Sequence, residues 1–126
     1  MSRDVIKTEN APGALGPYSQ AIRANGFVFA AGQVGLIPAT RALIEGGVEA
    51  QTRQALTNLA AVFEAAGTGL DRVVKTTVFL QNMGDFAAMN AVYAEFFPAN
   101  PPARSTIEVA KLPAGALVEI EAIALA

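Results

Sequence analysis

The chain has no histidine, no cysteine and no tryptophan in 126 residues. Without cysteine there is no disulfide, no thiolate nucleophile and no cysteine-type zinc site. Without histidine the commonest metal ligand and the usual neutral-pH acid–base group are missing. Charge is scarce as well. Asp, Glu, Lys and Arg together make up 16% of the chain, the basic residues are scattered, and the net charge is −2, so nothing resembles a basic stripe for nucleic acid. No apolar run is long enough to cross a bilayer. The N-terminal MSRDVIKTENAPG alternates charge and has no apolar stretch of the secretory type. A cytoplasmic protein is expected, with its chemistry limited to Arg, Glu, Tyr, Ser/Thr, Asn/Gln, Lys and the backbone.

What is present is mostly apolar. Hydrophobic residues make up 52% and the mean hydropathy is +0.36, greasier than a small monomer needs, although alanine supplies much of the count. A buried subunit interface follows as an expectation. The length suits one domain over 1–126, with no linker, repeat or low-complexity tract.

Periodicity gives the order of elements. Val5–Lys7 is a short candidate strand, and GALGPYSQ is a turn-rich loop leading to a strand near Ser19–Arg23. Asn25-Gly26 is the strongest hairpin signal in the chain. FVFAAGQVG reads as a buried strand in which Gly32 and Gly35 mark a bulge or a close approach to the backbone. Apolar spacing from Val48 to Ala66 predicts a helix, with Gly67 placed for a left-handed C-terminal cap. Arg72–Leu80 reads as a strand, with Val74, Val78 and Leu80 on one face and Lys75, Thr77 and Phe79 on the other. A second helix begins near Asp85, with Phe86, Met89, Tyr93, Phe96 and Phe97 as its apolar stripe and Pro98 as its stop. Two more strands, Ala103–Val109 and the last residues from Val118, complete an α+β fold. It is a mixed sheet with two helices on one face, the other face left to solvent or another subunit.

The last two strands carry the costly residues. Arg104, Thr106 and Glu108 alternate with an opposite face on the first of them, and Glu119 and Glu121 share one face of the second. Buried charges require a partner or a ligand. Two readings stand: a cross-strand salt bridge on a solvated face, or an anion-binding guanidinium beside a proton-handling carboxylate. Tyr18, in a loop between Pro17 and Ser19, is either a packed aromatic or a donor. Asn90 interrupts the second helix's apolar stripe, and serving a loop is its default role. GQVG around Gly32 is too short for a nucleotide fingerprint. Glu119 and Glu121 lack a third partner for a metal.

NAPGALGPYSQAI, AAGQVG, EAQTRQALTNL, EAAG, VVKTTVFLQNMGDFAAMNAVYAEFF, PPARSTIEVAKLP and VEIEAIA occur in order over nearly the whole chain. Together they resemble the Rid family of reactive intermediate deaminases, also called the YjgF family. The resemblance implies a homotrimer shaped like the trimeric type of chorismate mutase, with sites at the subunit interfaces. It implies hydrolysis of enamines and imines such as 2-aminoacrylate and 2-iminopropionate to a 2-oxo acid and ammonia, with no cofactor or metal. By the same resemblance the substrate-carboxylate anchor falls on Arg104, the water-handling glutamate on Glu119, the site tyrosine on Tyr18, the backbone donor on Gly32 and the helix asparagine on Asn90. Thr106 stands where some members have cysteine and joins the substrate-binding set. Ala31 replaces a serine common before the site glycine. Pro38-Ala39-Thr40-Arg41 lacks the glycine usual in that turn, which leaves its conformation open. Some members are also described as endoribonucleases or translation inhibitors, and a non-enzymatic chaperone or binding module is a further alternative.

Overall fold

Asn25 and Gly26 both adopt left-handed backbone conformations, with φ of 51° and 83°. That pair of angles makes the two-residue turn whose twist matches a hairpin, and it sets Ala24 opposite Phe27. The computed structural model describes residues 2–126. Its strands are β1 (Asp4–Ile6), β2 (Ala21–Ala24), β3 (Phe27–Val34), β4 (Val73–Leu80), β5 (Ala103–Glu108) and β6 (Val118–Leu125). The helices are α1 (Gly47–Ala65) and α2 (Phe86–Phe96). They form one sheet in the order β1-β2-β3-β6-β4-β5. All neighbours are antiparallel except β4 and β5, which are parallel. A parallel pair needs a crossover, and α2 is that crossover. The α+β expectation holds, with the first two strands displaced by one or two residues from their expected limits.

Both helices pack on one face. Val28, Val78 and Ile120 from the sheet meet Leu56, Leu59, Phe63 and Met89 from the helices, all fully buried. Burial of each such side chain is worth roughly 1.5–3 kcal/mol. α1 stops where Gly67, at φ 81°, turns left-handed. Gly67 N–H then donates to Glu64 O and Thr68 N–H to Phe63 O, which satisfies the last carbonyls. Two buried polar side chains tie α1 to the sheet. Asn58 donates through Nδ2 to Val34 O (3.2 Å) and Leu36 O (2.9 Å). Gln51 Oε1 accepts from Leu117 N (2.8 Å), fixing the chain just before β6.

The structure corrects three details. In β4 the inward face is Thr76, Val78 and Leu80, while Val74 is 40% exposed. A register shift between Val73 and Lys75 makes Val74 the extra residue, so Val73 takes the buried place expected for it. On α2 the buried residues are Met89, Val92 and Tyr93; Val92 joins the stripe and Phe86 leaves it. The far face of the sheet is covered at one end. There Val34, Leu36, Leu112 and Ala116 form a small second core, against which Phe79 packs. The rest of that face stays open, with Phe29 44% and Ile107 47% exposed.

Candidate functional site

The bulge expected around Gly32 is present. Between Ala30 and Gln33, β3 advances three residues while β6 advances two, from Ala122 to Ile120. Ala31 and Gly32 therefore drop out of the paired register, and the local backbone is free to turn its polar groups elsewhere. Glu119 fills the space so created. A Cβ on Gly32 would lie 2.9 Å from Glu119 Cδ and 3.1 Å from its Oε2, so the carboxyl rests directly on the glycine. Glu119 is half-buried. Burial, and secondarily the charge of Glu121 on the same strand face, raise its pKa above the ordinary carboxylate value.

A cleft of about 350 Å³ opens over this carboxyl, with Tyr18, Leu15, Gly32, Pro113 and Ala114 among its walls. Tyr18 is 52% exposed, and its hydroxyl accepts a hydrogen bond from Leu15 N at 3.1 Å. It is thus not a packed core aromatic. Ala114 has a φ of 59°, a left-handed conformation that costs an L-residue about 1–2 kcal/mol. Sequence reasoning missed Pro113 and Ala114 as wall residues; the Pro-Ala-Gly turn was the only signal.

Arg104 lies elsewhere. On β5 it pairs with Thr76 of β4, which faces the helices, whereas Glu119 and Glu121 pair with Phe79 and Thr77 on the opposite face. The cross-strand salt bridge is therefore excluded: β4 separates the two residues, and their side chains leave opposite sides of the sheet. The Arg104 guanidinium instead sits 4.7 Å from the Tyr93 ring centre and 5.6 Å from that of Phe86. Tyr93 is itself fixed by a 2.7 Å hydrogen bond between its hydroxyl and Thr76 Oγ1. Burial raises the pKa of Tyr93, so the ring stays neutral beneath the cation. Among the described residues Arg104 has no carboxylate partner.

Asn90 and Thr106 accompany Arg104. Phe86, Asn90 and Tyr93 follow helical spacing on α2, and Thr106 is two residues from Arg104 on the same side of β5. Asn90 Oδ1 and Thr106 Oγ1 are buried with no hydrogen-bond partner. The loop-serving role expected of Asn90 is not seen. Buried polar atoms left unpaired are rare, because each costs about 1–3 kcal/mol.

The profile described as endoribonuclease L-PSP matches residues 8–126. The chain belongs to the YjgF/Rid family. A RutC family protein of Synechocystis is 54% identical over 99% of this chain and 98% of its own. The mouse 2-iminobutanoate/2-iminopropanoate deaminase is 48% identical over 98% of this chain and 91% of its own. The crystal structure of Escherichia coli TdcF with bound serine superposes with a TM-score of 0.93 at 41% identity, covering 98% of both chains.

Within this Rid-family chain the residues singled out from sequence thus fall into two groups. Glu119, Tyr18 and Gly32 meet around one cleft; Arg104, Asn90 and Thr106 gather on the other side of the sheet. Among the described residues no three acidic side chains gather to hold a metal ion. No helix there is long and apolar enough to cross a membrane.

Proposed function

We propose that the chain hydrolyses reactive 2-imino acids, such as 2-iminopropionate and its enamine tautomer 2-aminoacrylate, to 2-oxo acids and ammonia. The sites would lie between the subunits of a homotrimer. One observation carries the reading: a half-buried carboxyl with a raised pKa and an unpaired guanidinium lie on opposite faces of one sheet. Each is costly where it stands, and a second copy of the chain is the economical way to bring them together. The exposed Phe29 and Ile107 on the open face supply apolar area for such an interface. The deaminase name of the mouse relative and the serine bound to TdcF favour a small α-carboxylate ligand.

Arg104 holds the substrate carboxylate bidentately, held in position by the Tyr93 and Phe86 rings. Asn90 Oδ1 and Thr106 Oγ1 offer the polar atoms that the substrate completes. Glu119 takes a proton from water as the water oxygen attacks the imine carbon, giving a carbinolamine. The same carboxyl returns that proton to nitrogen. As the C–N bond breaks, Glu119 takes the hydroxyl proton and passes it to the departing nitrogen, so that ammonia leaves and the 2-oxo group forms. A positioned acid–base group of this kind contributes about 10²–10⁴-fold, and a substrate that already hydrolyses in water needs little more. Tyr18 and the bulged Gly32 backbone orient the reacting end. A nuclease would want histidine or a basic groove, and the chain has no histidine and a charge of −2.

The deciding experiment measures ammonia release from 2-iminopropionate generated in place by an amino-acid oxidase. Release faster than the spontaneous rate, abolished by Arg104→Ala, supports the deaminase. Spontaneous-rate release with RNA cleavage or client holding by the same sample would replace it with the nuclease or chaperone reading.

A further inference from the structure

A second cleft, of about 570 Å³, adjoins the one over Glu119. The two clefts share only Tyr18 and Gly13 among their lining residues. The walls of the second combine apolar surface from Val5 and Pro38 with two cations, Lys7 and Arg41, and one carboxylate, Glu9, so that positive charge is in excess. One wall is rigid. Gln20, 4% exposed, spends its side-chain amide on the 8–12 segment, accepting from Thr8 N (2.7 Å) and donating to Pro12 O (2.8 Å) and Thr8 O (3.0 Å).

Arg41 is the unusual residue. It closes the turn that lacks a glycine, donating its N–H to Ile37 O at 2.7 Å, and it does so at a φ of 62°. Arginine at a left-handed position costs about 1–2 kcal/mol that glycine would spare. The strained backbone sends the side chain back over Gly13, where a Cβ would stand 2.9 Å from the guanidinium. No carboxylate among the described residues pairs with it. A bulky residue at position 13 would block the contact.

We infer that this cleft is a second binding site, separate from the imine-hydrolysing one, for a small carboxylate with an apolar body. Arg41 and Lys7 hold the carboxylate, and Val5, Pro38 and the Tyr18 ring hold the body. The inference does not depend on the deaminase reading, because none of the cation-bearing residues belongs to the Glu119 or Arg104 groups.

Benzoate is a suitable probe: it has the right charge and an apolar ring, but no 2-oxo or 2-imino group. Titration followed by amide NMR should shift Lys7, Gly13 and Arg41 saturably. Arg41→Gly relieves the backbone strain and should fold at least as well, yet weaken benzoate binding by about tenfold or more. Arg41→Asn, which also tolerates the left-handed turn, should do the same, and Lys7→Gln should weaken binding more mildly. Arg104→Ala should leave it unchanged. Shifts that survive both Arg41 variants and vanish with Arg104→Ala would overturn the inference, since benzoate would then be reading the other site. The absence of any saturable shift at these three residues in the wild-type protein would overturn it as well.

Discussion

Arg104 and Glu119 of one chain project from opposite faces of the same sheet, on strands separated by β4. They cannot act on one small molecule within a subunit. If they share a substrate, they share it between subunits, and their substitutions should behave differently from those of two neighbours.

Arg104→Ala is expected to abolish imine hydrolysis and leave the fold nearly intact. The guanidinium rests on Tyr93 and Phe86, so its removal forfeits a stacking contact of roughly 0.5–2 kcal/mol and no ion pair. Thermal unfolding alongside the ammonia assay separates the two effects. Wild-type turnover in a folded variant would reject the anchor. Arg104→Lys keeps the charge but not the planar fork, and should recover only part of the affinity.

Glu119→Gln should keep the binding of pyruvate or 2-oxobutyrate and lose most of the rate. The pH behaviour is the sharper check. The folded pKa of Glu119 is raised by burial and then by Glu121. Its protonated form is therefore the one the fold favours. The stability this confers is present in full below the ordinary glutamate pKa of about 4.3 and is lost as pH rises through the raised value. Glu119→Gln should gain stability relative to wild type over that weakly acidic window. Glu121→Gln removes the second cause of the shift, so the acidic limb of kcat/KM should move to lower pH. A limb that stays put, or moves up, would dissociate Glu119 from the rate.

The sequence made the hairpin at Asn25-Gly26, the bulge at Gly32 and the cap at Gly67 legible because each follows from local backbone geometry. Val74 was misplaced because alternation carries no mark of a bulge, and a single extra residue moves a side chain to the other face. Phe86 was misplaced because a helical stripe cannot say that an arginine from another element will cover a ring. The same limit hid the separation of Arg104 from Glu119. Alternation within each strand gives its two faces, but which faces coincide depends on the strand order, and β5 pairs with β4 rather than β6.

Two glycine substitutions should separate fold from site. Gly32→Ala places a Cβ 2.9 Å from the Glu119 carboxyl carbon, the far end of a flexible side chain that can swing away. Stability should fall by no more than about 1 kcal/mol, while activity drops with the displaced carboxyl. Gly35→Ala meets Gln51 Cα at 2.8 Å, backbone of α1 that cannot yield without moving the helix. It should cost about 1–3 kcal/mol, and any loss of activity should follow unfolding. Denaturant midpoints and rates measured on both variants check this. An active Gly32→Ala would show that the carboxyl need not rest on the glycine.

Subunit mixing tests the proposed interfacial site directly. Arg104→Ala protein retains Glu119, Tyr18 and Gly32; Glu119→Gln protein retains Arg104, Asn90 and Thr106. Each is expected to be inactive alone. After exchange at equal concentrations, an interface drawing one group from each of two chains would be intact in about a quarter of cases, and activity should recover to that fraction. Mixing Tyr18→Phe with Glu119→Gln should recover nothing, because both residues line the same cleft and so come from the same chain. Recovery in the second mixture would mean that Tyr18 crosses to a neighbouring site. An active monomer in sedimentation would remove the interfacial site altogether.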